Sequence, residues 1–330
     1  MELKKMWSVL VCGGAGYIGS HMSQWLAEQG HVVTVLDNLS TGHRQAVKWG
    51  EFIQADLLDN ASLARAFDRR DYDVVMHFAA TSLIAASVCD PLPAYQNNVT
   101  GTLNLLAEMR RRGVDKLVFS STAAVFGQSS MMLIDEQQLM HPIAPYGASK
   151  LMVERILADA WAAYGLSSVV LRYFNAAGAL SEHGIGEAHA YETHLIPNAL
   201  RAAAGQAPPL KVFGADYPTA DGTCIRDYVH VQDLARAHAL AVSLLESSPG
   251  AHDFNLGSEQ GYSVMDIVAA AEKVVGRPVP FELVGRRPGD PARLVASSAK
   301  ARDVLGWERS WQDMLGIIES AWHWHRAQSF

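Results

Sequence analysis

A glycine-rich turn near the start of the chain constrains the fold more than any other feature. Gly13, Gly16 and Gly19 lie in the segment Gly-Gly-Ala-Gly-Tyr-Ile-Gly-Ser-His, directly after the apolar run Val9–Val11. Glycines at this spacing let a strand turn tightly into a helix. The N–H groups and the positive dipole end of such a helix can bind a pyrophosphate. The turn predicts a strand–turn–helix unit with a dinucleotide site, although a strand-to-helix turn favours glycine in any case.

An acidic residue follows at the spacing typical of dinucleotide sites. Asp37 ends the run Val32–Leu36, eighteen residues after Gly19. A carboxylate at about 20 residues from such a turn contacts the adenosine ribose hydroxyls and would repel a 2′-phosphate. The next arginine is Arg44, so the sequence favours NAD over NADP. The alternative is that Asp37 only starts a turn, as Asp-Asn pairs often do.

Short β-branched runs alternate with helical patterns through the first half of the chain. We predict strands at residues 8–12, 32–36, 51–54, 74–78, 116–120 and 168–172, and helices at 18–28, 61–69, 94–112 and 146–164. This alternation indicates right-handed βαβ units and a parallel sheet covered on both faces.

The second half is looser and richer in loops that contain Pro, Gly and Asp. We predict a helix at 193–204 and a strand followed by a helix within 229–245. We therefore expect an α/β fold, with a Rossmann-type doubly wound parallel sheet and a smaller C-terminal substrate-binding α/β domain. The expected domains are residues 1–179 and 180–330, with a segment around 229–257 returning to the first.

Composition excludes several classes of protein. Hydrophobic residues make up 49% of the chain and charged residues 18%, and the net charge of −7 offers no basic surface for nucleic acid. Cys12, Cys89 and Cys224 are widely spaced and fit a reducing compartment, and no His-Glu-x-x-His pattern occurs. No apolar run reaches about 18 residues, and residues 1–5 pass into the first strand without a signal peptide. We expect a cytoplasmic protein without a metal, a membrane segment or a nucleic-acid partner.

A tyrosine and a lysine far downstream indicate acid–base chemistry. Tyr146 and Lys150 are four residues apart and share one face of a predicted helix. An ammonium near a phenol favours the phenolate, so the tyrosine could exchange a proton with a sugar or alcohol hydroxyl at neutral pH. The pair is weak evidence alone and gains weight from its place after the glycine turn and Asp37.

Polar and small residues follow the strands, at the sheet edge where ligands bind. Asp56 and Leu57 follow the third strand, where the adenine should lie. Ser120 and Thr122 close the fifth strand, and Tyr173 and Asn175 follow the sixth. The sequence therefore places hydroxyls and an amide where the nicotinamide and a substrate carbonyl would meet.

From residue 8 to Trp307 the chain resembles the UDP-glucose 4-epimerase family of the extended short-chain dehydrogenase/reductase superfamily. The glycine motif and the Tyr-x-x-x-Lys pair are common to the superfamily, whereas the block at 213–231 is more specific. The segments that carry the resemblance are 13–21, Asp37-Asn-Leu-Ser, Asn97-Asn-Val-Thr-Gly-Thr, Tyr146–Lys150, Arg172-Tyr-Phe-Asn and Asp221-Gly-Thr-Cys-Ile-Arg-Asp-Tyr-Val-His-Val.

The resemblance implies a reaction and roles for three residues. Tightly held NAD would take a hydride from C4 of a nucleotide-linked hexose. The resulting 4-keto sugar would rotate about its diphosphate bond, and the hydride would return to the other face of the sugar. Tyr146 would be the base, Thr122 would steer the 4-oxygen, and Lys150 would bind the nicotinamide ribose and lower the tyrosine pKa.

The strand ends and the resemblance together give the expected contacts of NAD and of a UDP-hexose. The cofactor contacts are Gly13, Gly16, Tyr17, Ile18, Gly19, Asp37, Asn38, Asp56, Leu57, Phe78, Ala79, Ala80, Asn97, Ser120, Tyr146, Lys150 and Tyr173. The substrate contacts are Thr122, Tyr146, Asn175, His194, Leu195, Phe213, Arg226, Arg287, Asp290 and Leu294. Leu294 would form the wall facing the 2-substituent of the sugar. By family analogy we also expect a homodimer.

Two positions depart from the family pattern, and three other functions stay open. Ser82 stands where some members have lysine, and His194 where many have asparagine. A nucleotide-sugar 4,6-dehydratase would need an Asp-Glu pair after the threonine, where this chain has Ala123 and Ala124. A simple dehydrogenase or reductase would release its cofactor in each turnover. A non-catalytic dinucleotide sensor would commonly lack the Tyr-Lys pair.

Overall fold

The computed structural model describes residues 5–129, 131–287, 290–328 and 330. The strands are β1 (Ser8–Cys12), β2 (Val32–Asp37), β3 (Glu51–Gln54), β4 (Val74–His77), β5 (Lys116–Thr122), β6 (Ser167–Tyr173), β7 (Asn175–Ala177), β8 (Leu210–Phe213), β9 (Ile225–Arg226), β10 (Tyr228–His230), β11 (Ala251–Leu256), β12 (Tyr262–Ser263), β13 (Phe281–Val284) and β14 (Arg293–Leu294). The α-helices are α1 (Tyr17–Glu28), α2 (Asn60–Phe67), α3 (Ile84–Cys89), α4 (Pro91–Tyr95), α5 (Gly101–Arg112), α6 (Pro145–Tyr164), α7 (Leu195–Ala203), α8 (Val231–Ser247), α9 (Val264–Val275) and α10 (Met314–Ala327).

A seven-stranded parallel sheet forms the centre of the molecule, in the order β11-β6-β5-β4-β1-β2-β3. Alternate residues of β1 face opposite sides, because Val9 and Val11 pack into one apolar cluster and Leu10 and Cys12 into the other. Residues of α1 and α8 complete the first cluster, and residues of α2, α5 and α6 complete the second. The sheet is therefore covered on both faces, which confirms the predicted doubly wound α/β fold.

All six predicted strands of the first half form within two residues of their expected ends. The predicted helix at 94–112 is instead divided into α4, one π-helical turn at Gln96–Thr100 and α5. The side chain of Asn98 lies in that turn and bonds to Thr81 and Ser149, so tertiary contacts hold the wider turn in place. Such contacts leave no local pattern in the sequence.

The C-terminal part builds a second core from α7, α9 and α10, against the parallel pair β8 and β13. Helix α9 starts with a capping box between Ser263 and Asp266. Strand β11 does not join this part, since it pairs with β6 at the edge of the main sheet. Among the described helices, none is long and apolar enough to cross a membrane. Residues 1–4 of the predicted N-terminal segment, and Pro288 and Gly289, which follow Arg287, lie outside the described residues.

Candidate active site

The glycine turn lies at the carboxyl end of β1, in the interior of the sheet. Gly13 has φ +80°, and a Cβ there would lie 2.5 Å from the backbone nitrogen of Ala79. A Cβ at Gly19 would lie 2.2 Å from the carbonyl oxygen of Gly13, so α1 packs directly on the turn. Within the described chain no side chain caps α1 at Gly16. The N–H groups at the start of this helix are thus available to an anion such as a pyrophosphate.

Asp37 joins the end of β2 to the glycine turn. Its carboxylate accepts hydrogen bonds from the backbone nitrogens of Ala15 at 2.9 Å and Leu39 at 2.8 Å. Burial raises the pKa of Asp37, although these two hydrogen bonds act in the opposite direction. Beside it, Asn38 donates to the carboxylate of Asp56 at 2.9 Å. The predicted ribose and adenine residues of the second and third strands therefore meet at one place.

Other predicted cofactor residues lie close to the glycine turn and the strand ends of the main sheet. The Tyr17 hydroxyl donates to the carbonyl of Gly178 at 2.5 Å, and Ile18 follows in the first turn of α1. Leu57 is buried after β3, and the ring of Phe78 packs at a tilt against that of His238, with ring centroids 4.7 Å apart. Ala79 and Ala80 follow β4, and Ala79 packs against Gly13.

Lys150 lies on α6 and is buried against the end of β5. Its Nζ donates to the carbonyl of Ser120 at 2.8 Å and lies 4.6 Å from the ring centroid of Phe119. The Ser120 hydroxyl in turn shares a hydrogen bond with the Tyr173 hydroxyl. Burial lowers the pKa of Lys150 to about 7, while the nearby Glu154 favours its charged form. The structure thus brings Lys150, Ser120 and Tyr173 together.

Tyr146 lies one turn before Lys150, in the first turn of α6. Burial raises the pKa of Tyr146, and its hydrogen bond with Thr122 acts in the opposite direction. The sequence leads us to expect a lowered tyrosine pKa, but in this structure the net shift is upward. The reason is that burial takes hydration from the phenolate, and this loss outweighs the hydrogen bond with Thr122.

Asn98 is a site-supporting residue that the predicted contact set does not contain. Its amide accepts from the backbone nitrogen of Thr81 at 2.8 Å and donates to the Ser149 hydroxyl at 2.9 Å. The predicted cofactor residue Asn97 donates to the same side-chain oxygen at 3.0 Å. Asn98 thereby ties the loop after β4 to α6, between Tyr146 and Lys150. A buried structural amide has no sequence signature beyond its position beside Asn97.

The predicted substrate residues of the C-terminal part form two neighbouring pairs. The guanidinium of Arg287 lies 3.9 Å from the ring centroid of Phe213. Arg226 forms an ion pair with Asp290. Next to Arg226 in sequence, the backbone oxygen of Asp227 accepts a hydrogen bond from the amide of Asn175 at 2.7 Å.

Leu294 connects these pairs to the carboxyl end of β5. It stands opposite Arg226 in the register of β14 and β9. Its side chain packs on a small cluster that contains Val125 and Phe126, which follow Thr122 within a few residues. Phe174, which precedes Asn175, packs on the same cluster. Leu294 therefore lies between Arg226 and the segment that follows Thr122.

His194 and Leu195 stand at the start of α7. Leu195 is the first residue of the helix, and the Nδ1 atom of His194 contacts the Glu187 carboxylate. Within the described chain, no hydrogen bond or ion pair joins His194 to the pairs around Arg226 and Phe213. Ser82 is exposed after β4.

Known proteins are similar to this chain in sequence and in fold. Residues 9–257 match the model of the NAD dependent epimerase/dehydratase family. A curated UDP-glucose 4-epimerase of Lacticaseibacillus casei is 48% identical over 319 residues, covering 96% of each chain. The crystal structure of UDP-glucose 4-epimerase from Brucella ovis in complex with NAD has 47% identity and a TM-score of 0.93, with 97% of this chain and 98% of that chain covered.

A second solved structure carries both a dinucleotide and a nucleotide sugar. This UDP-glucose 4-epimerase from Stenotrophomonas maltophila, with bound NAD and formylated UDP-arabinopyranose, is 40% identical to this chain. Its TM-score is 0.94, and 98% of this chain and 99% of that chain are covered.

Proposed function

The chain belongs to the NAD dependent epimerase/dehydratase family, and we propose that it interconverts UDP-glucose and UDP-galactose. It is an isomerase, and NAD is its cofactor. The observation that carries this conclusion is the joint presence of the close-packed glycine turn, Asp37 and the Thr122–Tyr146–Lys150 group in one site. Relatives that share nearly the full length of the chain have the same activity in their names.

The residues present fit NAD. The turn at Gly13 and Gly19 has no room for a Cβ, which is the condition for a backbone to approach a pyrophosphate closely. Asp37 would hold the adenosine ribose, and Lys150 the nicotinamide ribose. When bound, NAD supplies the reversible oxidation at C4 of the sugar and a positive charge within the site.

We propose that Tyr146 takes the proton of the 4-hydroxyl and later returns it. Its hydrogen bond with Thr122 supports this role, because the same hydroxyl can hold the 4-oxygen of the sugar beside the phenol. Burial raises the pKa of Tyr146, so the base form depends on positive charge in the assembled site. Lys150 lies one helical turn away and would supply part of this charge.

The nucleotide end of the substrate would lie along the C-terminal pairs. Phe213 offers an aromatic face for the uracil, and Arg226 and Arg287 offer guanidinium groups for the diphosphate. Asn175 and the loop residue Asp290 lie next to these arginines. Leu294 would face the 2-substituent of the sugar, and His194 with Leu195 would approach the diphosphate from α7. We propose residues 1–179 as the cofactor domain and 180–330 as the substrate domain, with 229–257 returning to the first.

We also propose a homodimer that forms through the helices within residues 94–112 and 150–164. Exposed apolar side chains support this surface: Leu103 is 45% exposed, Met152 47% and Trp161 37%. A second copy of the chain would remove these side chains from water. The molecular mass in solution tests this proposal, and a monomer at micromolar concentration would contradict it.

The function is tested by incubating the purified protein with UDP-galactose in the absence of added NAD. We expect UDP-glucose to form, since the reaction regenerates its own cofactor. Denaturing the protein should release about one nicotinamide dinucleotide per chain. Net NADH formation would instead indicate a dehydrogenase, and a 4-keto-6-deoxy product a dehydratase. Activity strictly dependent on added NAD, with none released, would contradict a self-contained epimerase.

A further inference from the structure

Four potential metal ligands converge in the loop that leads into α7. Glu187, His189, Glu192 and His194 each offer one donor atom, and these atoms all lie within 4.8 Å of one another. In sequence they form two Glu-x-His pairs five residues apart. They do not match a His-Glu-x-x-His pattern, because that pattern places two histidines on one helix face and these residues lie on a loop.

The separations suit a small divalent ion. The Nδ1 atom of His189 lies 3.3 Å from an oxygen of Glu187 and 3.3 Å from an oxygen of Glu192. A tetrahedral site with ligands at about 2.0–2.1 Å from the metal has ligand-to-ligand edges of roughly 3.3–3.4 Å. His194 contacts Glu187 more closely still. An ion would therefore need to draw the most distant donors inward and to separate the Nδ1 atom of His194 from the Glu187 oxygen.

The two carboxylates are buried, while the histidines reach solvent. The Glu187 side chain is 8% exposed and the Glu192 side chain 4%. Among the described residues, neither carboxylate pairs with a lysine or an arginine. Buried carboxylates need a compensating positive charge, which the paired His189 and His194 supply when charged and which a bound metal ion would supply in their place. The half-exposed His194 leaves a path by which an ion could enter from solvent.

Contacts outside the cluster hold the donor atoms in place. One Glu192 oxygen accepts from the backbone nitrogens of Thr193 at 2.7 Å and His194 at 2.8 Å, which leaves its other oxygen for the cluster. The indole of Trp324 donates to the carbonyl of Glu187 at 2.8 Å. Such supporting bonds orient ligands in metal sites.

We propose that Glu187, His189, Glu192 and His194 bind one divalent metal ion of the Zn²⁺ class, through two imidazole nitrogens and one oxygen of each carboxylate. Zn²⁺ accepts imidazole nitrogens and carboxylate oxygens in four-coordinate sites, whereas calcium and magnesium favour six or more oxygen ligands. The ion fastens the loop at 187–194 to the start of α7. This proposal does not depend on the epimerase activity.

The test is a titration of the chelator-treated full chain with Co²⁺, a spectroscopic substitute for Zn²⁺. We expect one equivalent to bind with the visible d–d bands of four-coordinate cobalt, and Zn²⁺ to displace it. His189→Gln and Glu192→Gln should each weaken Co²⁺ binding by about 10-fold or more. His183→Gln is the matched control, because His183 forms a single pair with Glu28, at 3.6 Å, away from the cluster. It should bind Co²⁺ like the parent.

The parent titration decides the proposal even if a site variant fails to fold. If the parent gives no stoichiometric d–d bands, the four residues are an ion-pair cluster of protonated histidines and glutamates, and the proposal is wrong. It is equally wrong if His183→Gln weakens binding as much as His189→Gln does. UDP-galactose turnover is measured separately, so a failed metal test leaves the proposed activity standing and the reverse also holds.

Discussion

Replacing Gly13 by alanine should damage the protein much more than the same change at Gly30. Both glycines have left-handed backbones, with φ +80° and +82°. They differ in their surroundings: a Cβ at Gly13 would lie 2.5 Å from the Ala79 nitrogen, whereas nothing lies within 4 Å of a Cβ at Gly30. Gly30→Ala therefore isolates the backbone strain, and Gly13→Ala adds the clash between β1 and the segment after β4.

The structure sets the expected magnitudes. A left-handed alanine costs about 1–2 kcal/mol, which is the expected loss in the free energy of unfolding for Gly30→Ala. Overpacking against a rigid backbone adds about 1–3 kcal/mol at Gly13. The clash also displaces the turn that would receive the pyrophosphate, so Gly13→Ala should lose bound NAD while Gly30→Ala keeps it.

The assay is equilibrium urea unfolding of the parent and both variants, together with the amount of dinucleotide released on denaturation. We expect Gly13→Ala to be less stable than Gly30→Ala by about 1–3 kcal/mol and to carry less NAD. Equal stability of the two variants, with a full complement of NAD in Gly13→Ala, would refute the argument that close approach at this turn creates the cofactor site.

Three further predictions concern the catalytic group and the sugar pocket. Tyr146→Phe should reduce UDP-galactose turnover about 10²–10⁴-fold at unchanged NAD content, and near-parent turnover would remove Tyr146 from its role as base. Leu294→Ser should shift the ratio of kcat/KM for UDP-galactose and UDP-N-acetylgalactosamine toward the N-acetyl sugar, by no more than about 10–200-fold; an unchanged ratio would place the selective wall elsewhere. In the cofactor-free protein the folded Lys150 has a pKa of about 7, against 10.5 in an unfolded chain, so the unfolded state binds more protons between these values. The unfolding free energy of the parent should therefore rise from about pH 7 to pH 10 relative to Lys150→Met, by at most ~1.4 kcal/mol per pH unit, and a pH-independent difference would contradict this.

Local sequence patterns were sufficient to predict most of the main parallel sheet and the turn that begins the candidate cofactor site. The alternation of β-branched runs with amphipathic stretches predicted six of the seven strands of the main sheet, all but β11, because a parallel strand buried on both faces needs such a run. The glycine spacing gave the turn between β1 and α1, since only glycine fits at Gly13 and Gly19. The spacing to Asp37 placed a carboxylate at the neighbouring strand end, where it reaches Ala15.

The tertiary structure decided what depends on burial and on contacts between distant segments. The pKa of Tyr146 is raised and that of Lys150 is lowered because burial penalises the charged form of each group. The four-residue spacing of the pair in the sequence does not show how deeply their helix face is buried. The π-helical turn exists because Asn98 bonds to Thr81 and Ser149. Leu294 meets the segment after Thr122 only through the chain's return from β9 to β14. The donor atoms at 187–194 converge because an irregular loop folds back on itself, and such a loop has no period from which its shape could be read.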